Sequence, residues 1–96
     1  MMIKIVAKSL VKEECVEAYK ALAKELVAQT RNDAGMKYYT LNQSVENPRC
    51  FVILESWESQ EALQAHMASP HFTSIVPQMG PMVEQATAPE VFVELA

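Results

Sequence analysis

The chain has 96 residues, half of them hydrophobic and 21% charged, with a formal net charge of −4. A chain of this size and mix builds one hydrophobic core, so a single domain over residues 1–96 is expected, and disorder is not. The lysines are scattered with no basic run, no apolar stretch approaches membrane-spanning length, and MMIKIVAKSL lacks the apolar core and cleavage site of a signal peptide; no nucleic acid and no membrane is expected as partner, and the expected compartment is the cytoplasm.

Met2 to Val11 alternates loosely and is rich in Ile, Val and Leu, the pattern of a first strand. Lys12 to Glu14 leads into a long helix, in which Val16, Tyr19, Leu22, Ala23, Leu26 and Val27 recur at spacings of three and four. Glu17, Lys20, Lys24 and Glu25 fill its wet face. This helix is expected to end near Asp33, with Gly35 as its stop. Lys37 to Val45 reads as a second strand, Glu46-Asn47-Pro48-Arg49 as a turn-rich connection, and Cys50 to about Glu58 as a third strand. Ser59 is a helix N-cap for Gln60 to Ala68, with Glu61 placed to suit the helix dipole. Ser69-Pro70 is a second N-cap with proline at the first helical position, so His71 and Phe72 open another short helix. Pro77, Gly80 and Pro81 are expected to break the chain before a last strand from Glu90 to Leu95.

The order β, α, β, β, α, β is the split β-α-β arrangement of ferredoxin-like folds, and predicts an α+β domain with a four-stranded antiparallel sheet and all helices on one face. Phe51, Val52, Ile53 and Leu54 send two large apolar side chains to each side of that sheet, yet helices cover only one side. The bare side predicts a homodimer in which two sheets pack face to face.

With glycine only at positions 35 and 80, no GxGxxG or phosphate cradle is possible, and there is no flavin or nucleotide fingerprint and no GxSxG elbow. Cys15 and Cys50 form no CxxC and read as reduced packing residues. His66 and His71 are five apart with Pro70 between them, and no Cys or Asp lies in their segment, so no metal site is expected. What remains is the junction from Phe51 to Phe72. His66 falls on the apolar stripe of Ala62, Leu63 and Met67 and points toward the core. There it is either a structural histidine bonded to a carbonyl or a general base, with an unperturbed pKa of about 6.5. Trp57 is either core packing or a flat wall for an aromatic ligand. His71, at a helix start, is a solvated, capping or functional side chain.

Glu55-Ser56-Trp57, then His66, then Ser69-Pro70-His71-Phe72 resemble the ExW…H…(S/T)PH(F/Y) pattern of the antibiotic biosynthesis monooxygenase domain. Gly35…Tyr39-Thr40-Leu41-Asn42-Gln43 resembles its GxxxYxLxQ strand, and the resemblance covers nearly the whole chain. It implies a dimeric α/β barrel, in agreement with the dimer read from the third strand. It also implies cofactor-free oxygenation, by O2, of a small electron-rich aromatic such as a quinol or hydroxyanthrone. His66 would be the catalytic base, and Trp57, Tyr39, His71 and Phe72 would bind the substrate. Haem degradation is not implied, because this chain has His66 where haem-degrading relatives carry tryptophan and Val76 where they carry the iron-ligating histidine. An isomerase of a phosphorylated autoinducer-2-type signal shares the H…TPHY segment; its phosphate would call on Lys8, Lys37 or Arg49. A non-catalytic small-molecule binding protein of the same fold is a third reading. Strand register leaves one choice open: with Val45 opposite Cys50, Tyr39 faces away from Trp57, whereas a one-residue bulge reverses this, so either Tyr38 or Tyr39 lines the pocket.

Overall fold

Alternation in the first strand separates two faces from the outset: Ile3, Ile5 and Val11 are buried, whereas Lys4 and Lys8 are exposed. The computed structural model describes residues 1–96. Strand β1 (Ile3–Val11) leads through a 3-10 turn at Glu13–Cys15 to helix α1 (Val16–Thr30). Strands β2 (Met36–Gln43) and β3 (Cys50–Trp57) follow, then helices α2 (Gln60–Met67) and α3 (Pro70–Met79). A second 3-10 turn, Gly80–Met82, precedes strands β4 (Val83–Ala86) and β5 (Glu90–Val93). No helix is long and apolar enough to cross a membrane.

All strand pairings are antiparallel, in the order β2-β3-β1-β4, with β5 also on β1. The sheet therefore has five strands and not the four expected, for a local reason. β4 pairs with Ser9 to Val11 and β5 with Ile3 to Val6, so the two share one edge of β1 as a single edge strand interrupted between them. Pro89 lies in the interruption and has no N–H to give to a ladder.

On the core face, α1 buries Tyr19, Ala23, Leu26, Val27 and Thr30, and its Tyr19 ring packs on Phe51 of β3 with centroids 5.0 Å apart. Its last regular turn closes at Thr30. Two tightened bonds, Asn32 N–H to Gln29 O and Asp33 N–H to Thr30 O, then carry the chain to Asp33. Helix α3 continues through Pro77 to Met79, where a break was expected. Pro77 is exposed and in the last turn, so the helix gives up one backbone bond on its outer side.

Register settles the tyrosine choice. Ser44 N–H, and not that of Val45, bonds Cys50 O at 2.9 Å, which leaves a five-residue loop with Val45 fully exposed. That loop is pinned by Ser44 Oγ, which accepts from Glu46 and Asn47, and by Asn47 Oδ1, which accepts from Arg49. Tyr39 thus stands opposite Glu55, on the same face as Trp57, and Tyr38 stands opposite Ser56 on the other face. A further irregularity between Met36 and Tyr38 keeps Met36 opposite Trp57.

No helix covers the other face. Val6, Leu10, Val52 and Leu54 lie half-buried there beside Lys4 and Lys8. Next to the interrupted edge, Lys8, Leu10, Asn42, Cys50, Val52 and Gln85 line a hollow of about 430 Å³.

Candidate active site

The junction of β3, α2 and α3 is built from two serine caps. Ser59 Oγ accepts the Ala62 N–H at 3.1 Å and starts α2, whose inward face then carries Leu63 and His66, its only buried residues. Ser69 Oγ accepts the Phe72 N–H at 3.3 Å and donates to His66 O at 2.6 Å, so one hydroxyl both starts α3 and ties it to the end of α2. That corner brings the first turn of α3 against the His66 ring.

All five residues singled out from the sequence meet here. The His66 imidazole lies on Trp57 with ring centroids 4.6 Å apart and planes inclined by 35°. Tyr39 and Phe72 meet it edge-on at 5.3 Å and 5.1 Å, and His71 lies 5.9 Å away. Trp57, His66 and Tyr39 are 0%, 2% and 3% exposed, while Phe72 and His71 form the half-buried outer wall. None of the three main cavities is lined by these rings.

The polar contacts are few. His66 Nδ1 and His71 Nε2 lie 2.9 Å and 3.0 Å from the same oxygen, Oδ2 of Asp33. A carboxylate oxygen accepts, so each imidazole donates its N–H. His66 Nε2 is buried and has no partner. Burial pushes His66 below the ordinary imidazole value of 6.5; the hydrogen bond and charge of Asp33 pull it back up, and the nearby His71 pushes it down again. Behind the tryptophan, Nε1–H donates to Glu55 Oε1 at 2.9 Å. Burial pushes the Glu55 carboxyl above 4.5, with the Trp57 bond opposing. Tyr39 is driven far above the usual phenol range by burial first and then by the charges of Glu55, Tyr19 and Asp33, so it stays a neutral O–H. Thr30 Oγ1 is buried and has no hydrogen-bond partner within ordinary reach, yet lies close enough to pull Tyr39 weakly the other way.

Asp33 was missed in the sequence because it lies 33 residues from His66, beyond any local spacing rule. One signal was available. An acid just past a helix C-terminus runs against the helix dipole, and such a residue is worth checking for a distant N–H donor. Asp33 also completes a trio with the two histidines whose ligand atoms lie within 4.8 Å of one another, a gathering of donors that the local spacing argument did not foresee. A cation held by His66 Nδ1 would force the ring proton onto Nε2, which is buried with nothing to accept it. The trio fits a hydrogen-bonded array better than a metal centre. Of the three cations a phosphate would call on, Lys37 pairs with Glu58, Arg49 pairs with Glu84 and bonds Val11 O, and Lys8 stands opposite Val52 on the bare face.

The fold places this chain among the α+β proteins with a ferredoxin-like antiparallel sheet, helices on one side, and a histidine-aromatic cluster between the layers. The family model described as antibiotic biosynthesis monooxygenase matches residues 2–78, and the chain belongs to that family. A conserved protein from Methanosarcina mazei Go1 is 32% identical, with a TM-score of 0.91 over 96% of this chain and 91% of its own. Rv0793 from Mycobacterium tuberculosis superposes with a TM-score of 0.93 at 25% identity, over 100% of this chain and 97% of that structure. YcnE from Bacillus subtilis (strain 168) is 33% identical over 66 residues, which are 69% of this chain and 70% of YcnE. Rv0793 and YcnE are both provisionally designated monooxygenases.

Proposed function

We propose that this chain is a cofactor-free monooxygenase that removes a proton from a small electron-rich aromatic, of quinol or hydroxyanthrone type, and lets the resulting anion react with O2. The observation that carries the reading is the unpartnered Nε2 of His66, a buried basic nitrogen inside a cage of Tyr39, Trp57 and Phe72. Depressed basicity suits a base that must be neutral at physiological pH before it accepts a proton.

For a hydroxyanthrone the reacting centre is the ring methylene. His66 Nε2 takes one proton from it and leaves the carbanion, stabilised as its enolate. One electron passes from the enolate to O2, and the radical pair closes through a new C–O bond to the peroxide anion. The His66 imidazolium returns its proton to give the hydroperoxide. Cleavage of the O–O bond and loss of the remaining C–H proton then release water and leave a carbonyl. In sum, one methylene and one O2 become one carbonyl and one water, with the base restored. Trp57, Tyr39 and Phe72 would hold the ring and keep water from the anion.

The active assembly in this reading is a homodimer joined through the bare sheet face, supported by the half-buried aliphatic side chains of β1 and β3 there. Cys15 and Cys50 are unpaired, which fits a reducing cytoplasm. The deciding experiment is oxygen uptake with a panel of quinols and hydroxyanthrones, run beside an isomerisation assay on a phosphorylated sugar. Uptake above autoxidation, abolished in His66→Ala, supports the proposal. Turnover of the phosphorylated sugar that continues unchanged without O2 replaces it with the isomerase reading.

A further inference from the structure

We infer that Asp33 is the positioning residue of this site: its Oδ2 holds His66 as the Nδ1–H tautomer and so places the basic lone pair of the ring on Nε2, facing the aromatic cage. The inference rests on the reading of His66 as a base, but its first test does not. A neutral imidazole carries one N–H. With that proton on Nδ1, the 2.9 Å contact to Asp33 is a hydrogen bond and Nε2 is an acceptor. With the proton on Nε2, a bare lone pair would face the carboxylate oxygen while a buried N–H found no acceptor. Both faults vanish in the first tautomer.

The carboxylate is itself aimed from two sides. Asp33 N–H bonds Thr30 O at 2.9 Å and Asp33 O accepts Met36 N–H at 3.3 Å, which fixes the backbone. Gly35 has φ +78°, and a Cβ built there would meet Ala62 Cβ at 2.6 Å, so this loop lies on α2 closely enough that glycine alone fits. On the other side, His71 Nε2–H donates to the same Oδ2 at 3.0 Å. His71 thereby holds the carboxylate in place, a supporting role distinct from contact with substrate. When His66 takes up a proton it becomes a cation with a side chain 1% exposed, and Asp33 is the counter-charge within reach. The titratable groups around the ring are Asp33 from the α1–β2 loop, His71 from α3, Tyr39 from β2 and, beyond Trp57, Glu55 from β3.

Histidine ¹⁵N NMR on the whole protein, above the pH at which His66 titrates, reads the tautomer directly and needs no substrate. The expected result is an unprotonated Nε2 and a protonated Nδ1. In Asp33→Asn the amide can present its own N–H to Nδ1, so the population shifts toward Nε2–H. On an authentic substrate kcat then falls on the order of 10²-fold or more while KM changes far less. Because Asp33 raises the basicity of His66, its loss also moves the acid limb of the pH–rate profile to lower pH. His71→Gln gives a smaller change in the same direction. A wild-type His66 protonated on Nε2 overturns the inference, whatever the variants do. So does Asp33→Asn that keeps both the Nδ1–H tautomer and full kcat. If the tautomer is as stated and no aromatic substrate consumes O2, the role of Asp33 stands and the proposed reaction falls.

Discussion

Tyr38 and Tyr39 are adjacent in the chain, yet one is 51% exposed and the other 3%, because they stand on opposite faces of one sheet. The two faces carry similar aliphatic side chains and differ in what lies over them. Under the helices, Tyr39 and Trp57 pack on His66 of α2 with Glu55 behind the tryptophan, and the ionisable groups there have displaced proton affinities. On the bare face, Tyr38, Val52 and Leu54 lie beside Val6, Lys4 and Lys8 with no helix over them. Cover, more than composition, turns a sheet face into a place where proton transfer can be tuned; an equally apolar face without cover is an adhesive surface. A five-residue turn decides which tyrosine belongs to which, since a register one residue away would exchange every side chain between them.

The largest effect expected from breaking the covered face is in His66→Ala. Turnover of a true substrate should fall on the order of 10²- to 10⁴-fold, with a much smaller change in thermal unfolding; steady-state kinetics and calorimetry on one preparation decide it. Full turnover in that variant would show that the base lies elsewhere. Next in size is Trp57→Ala, which removes a side chain 0% exposed and frees Glu55. It should cost about 3–5 kcal/mol in urea denaturation, whereas Leu54→Ala on the bare face should cost clearly less; equal losses would mean that the faces are equally packed. Leu54→Asp sharpens the contrast from the other side. It should leave the circular dichroism spectrum intact and shift sedimentation from dimer to monomer, and a dimer that survives it joins through some other surface.

The smallest expected effect is a pH dependence. His66 has a folded-state proton affinity below its ordinary 6.5, so between those two values the unfolded chain binds the extra proton and the folded one does not. Stability is therefore full above about 6.5 and declines as pH falls toward the folded-state value. Glu55 has the opposite sign: its raised pKa means that stability is lost as pH climbs from 4.5 through the folded value. Denaturant titrations from pH 4.5 to 8 should show the histidine decline, and His66→Phe should flatten it. A wild-type slope unchanged by that substitution would assign it to another group.

Features with a local cause could be read from the chain, and those with a distant cause could not. The stripe of Tyr19, Ala23, Leu26 and Val27 announced α1, and the hydroxyls of Ser59 and Ser69 announced the starts of α2 and α3, because amphipathicity and capping act within a turn or two. The inward histidine followed from the α2 stripe through Leu63, whereas the orientation of Trp57 was not read from any stripe. Strand β4 escaped because its sequence, Val-Glu-Gln-Ala, alternates weakly and is held by the edge of β1, more than seventy residues earlier. The length of the β2–β3 turn rests on the side chains of Ser44 and Asn47, which no hydrophobic pattern in the strands announces. Asp33 needed the whole tertiary fold to find its histidines.

Helix α2 is seated by two side chains, Leu63 and His66, and the second of them is also the proposed base. Whatever swings α2 outward to admit a ligand withdraws that imidazole from Trp57 and from Asp33 in the same movement. Opening the door and disarming the lock are thus mechanically one event. In the proposed reaction the site would be competent only when shut around its occupant, and an empty, gaping site would have no base in place to start the reaction of O2 with the wrong donor.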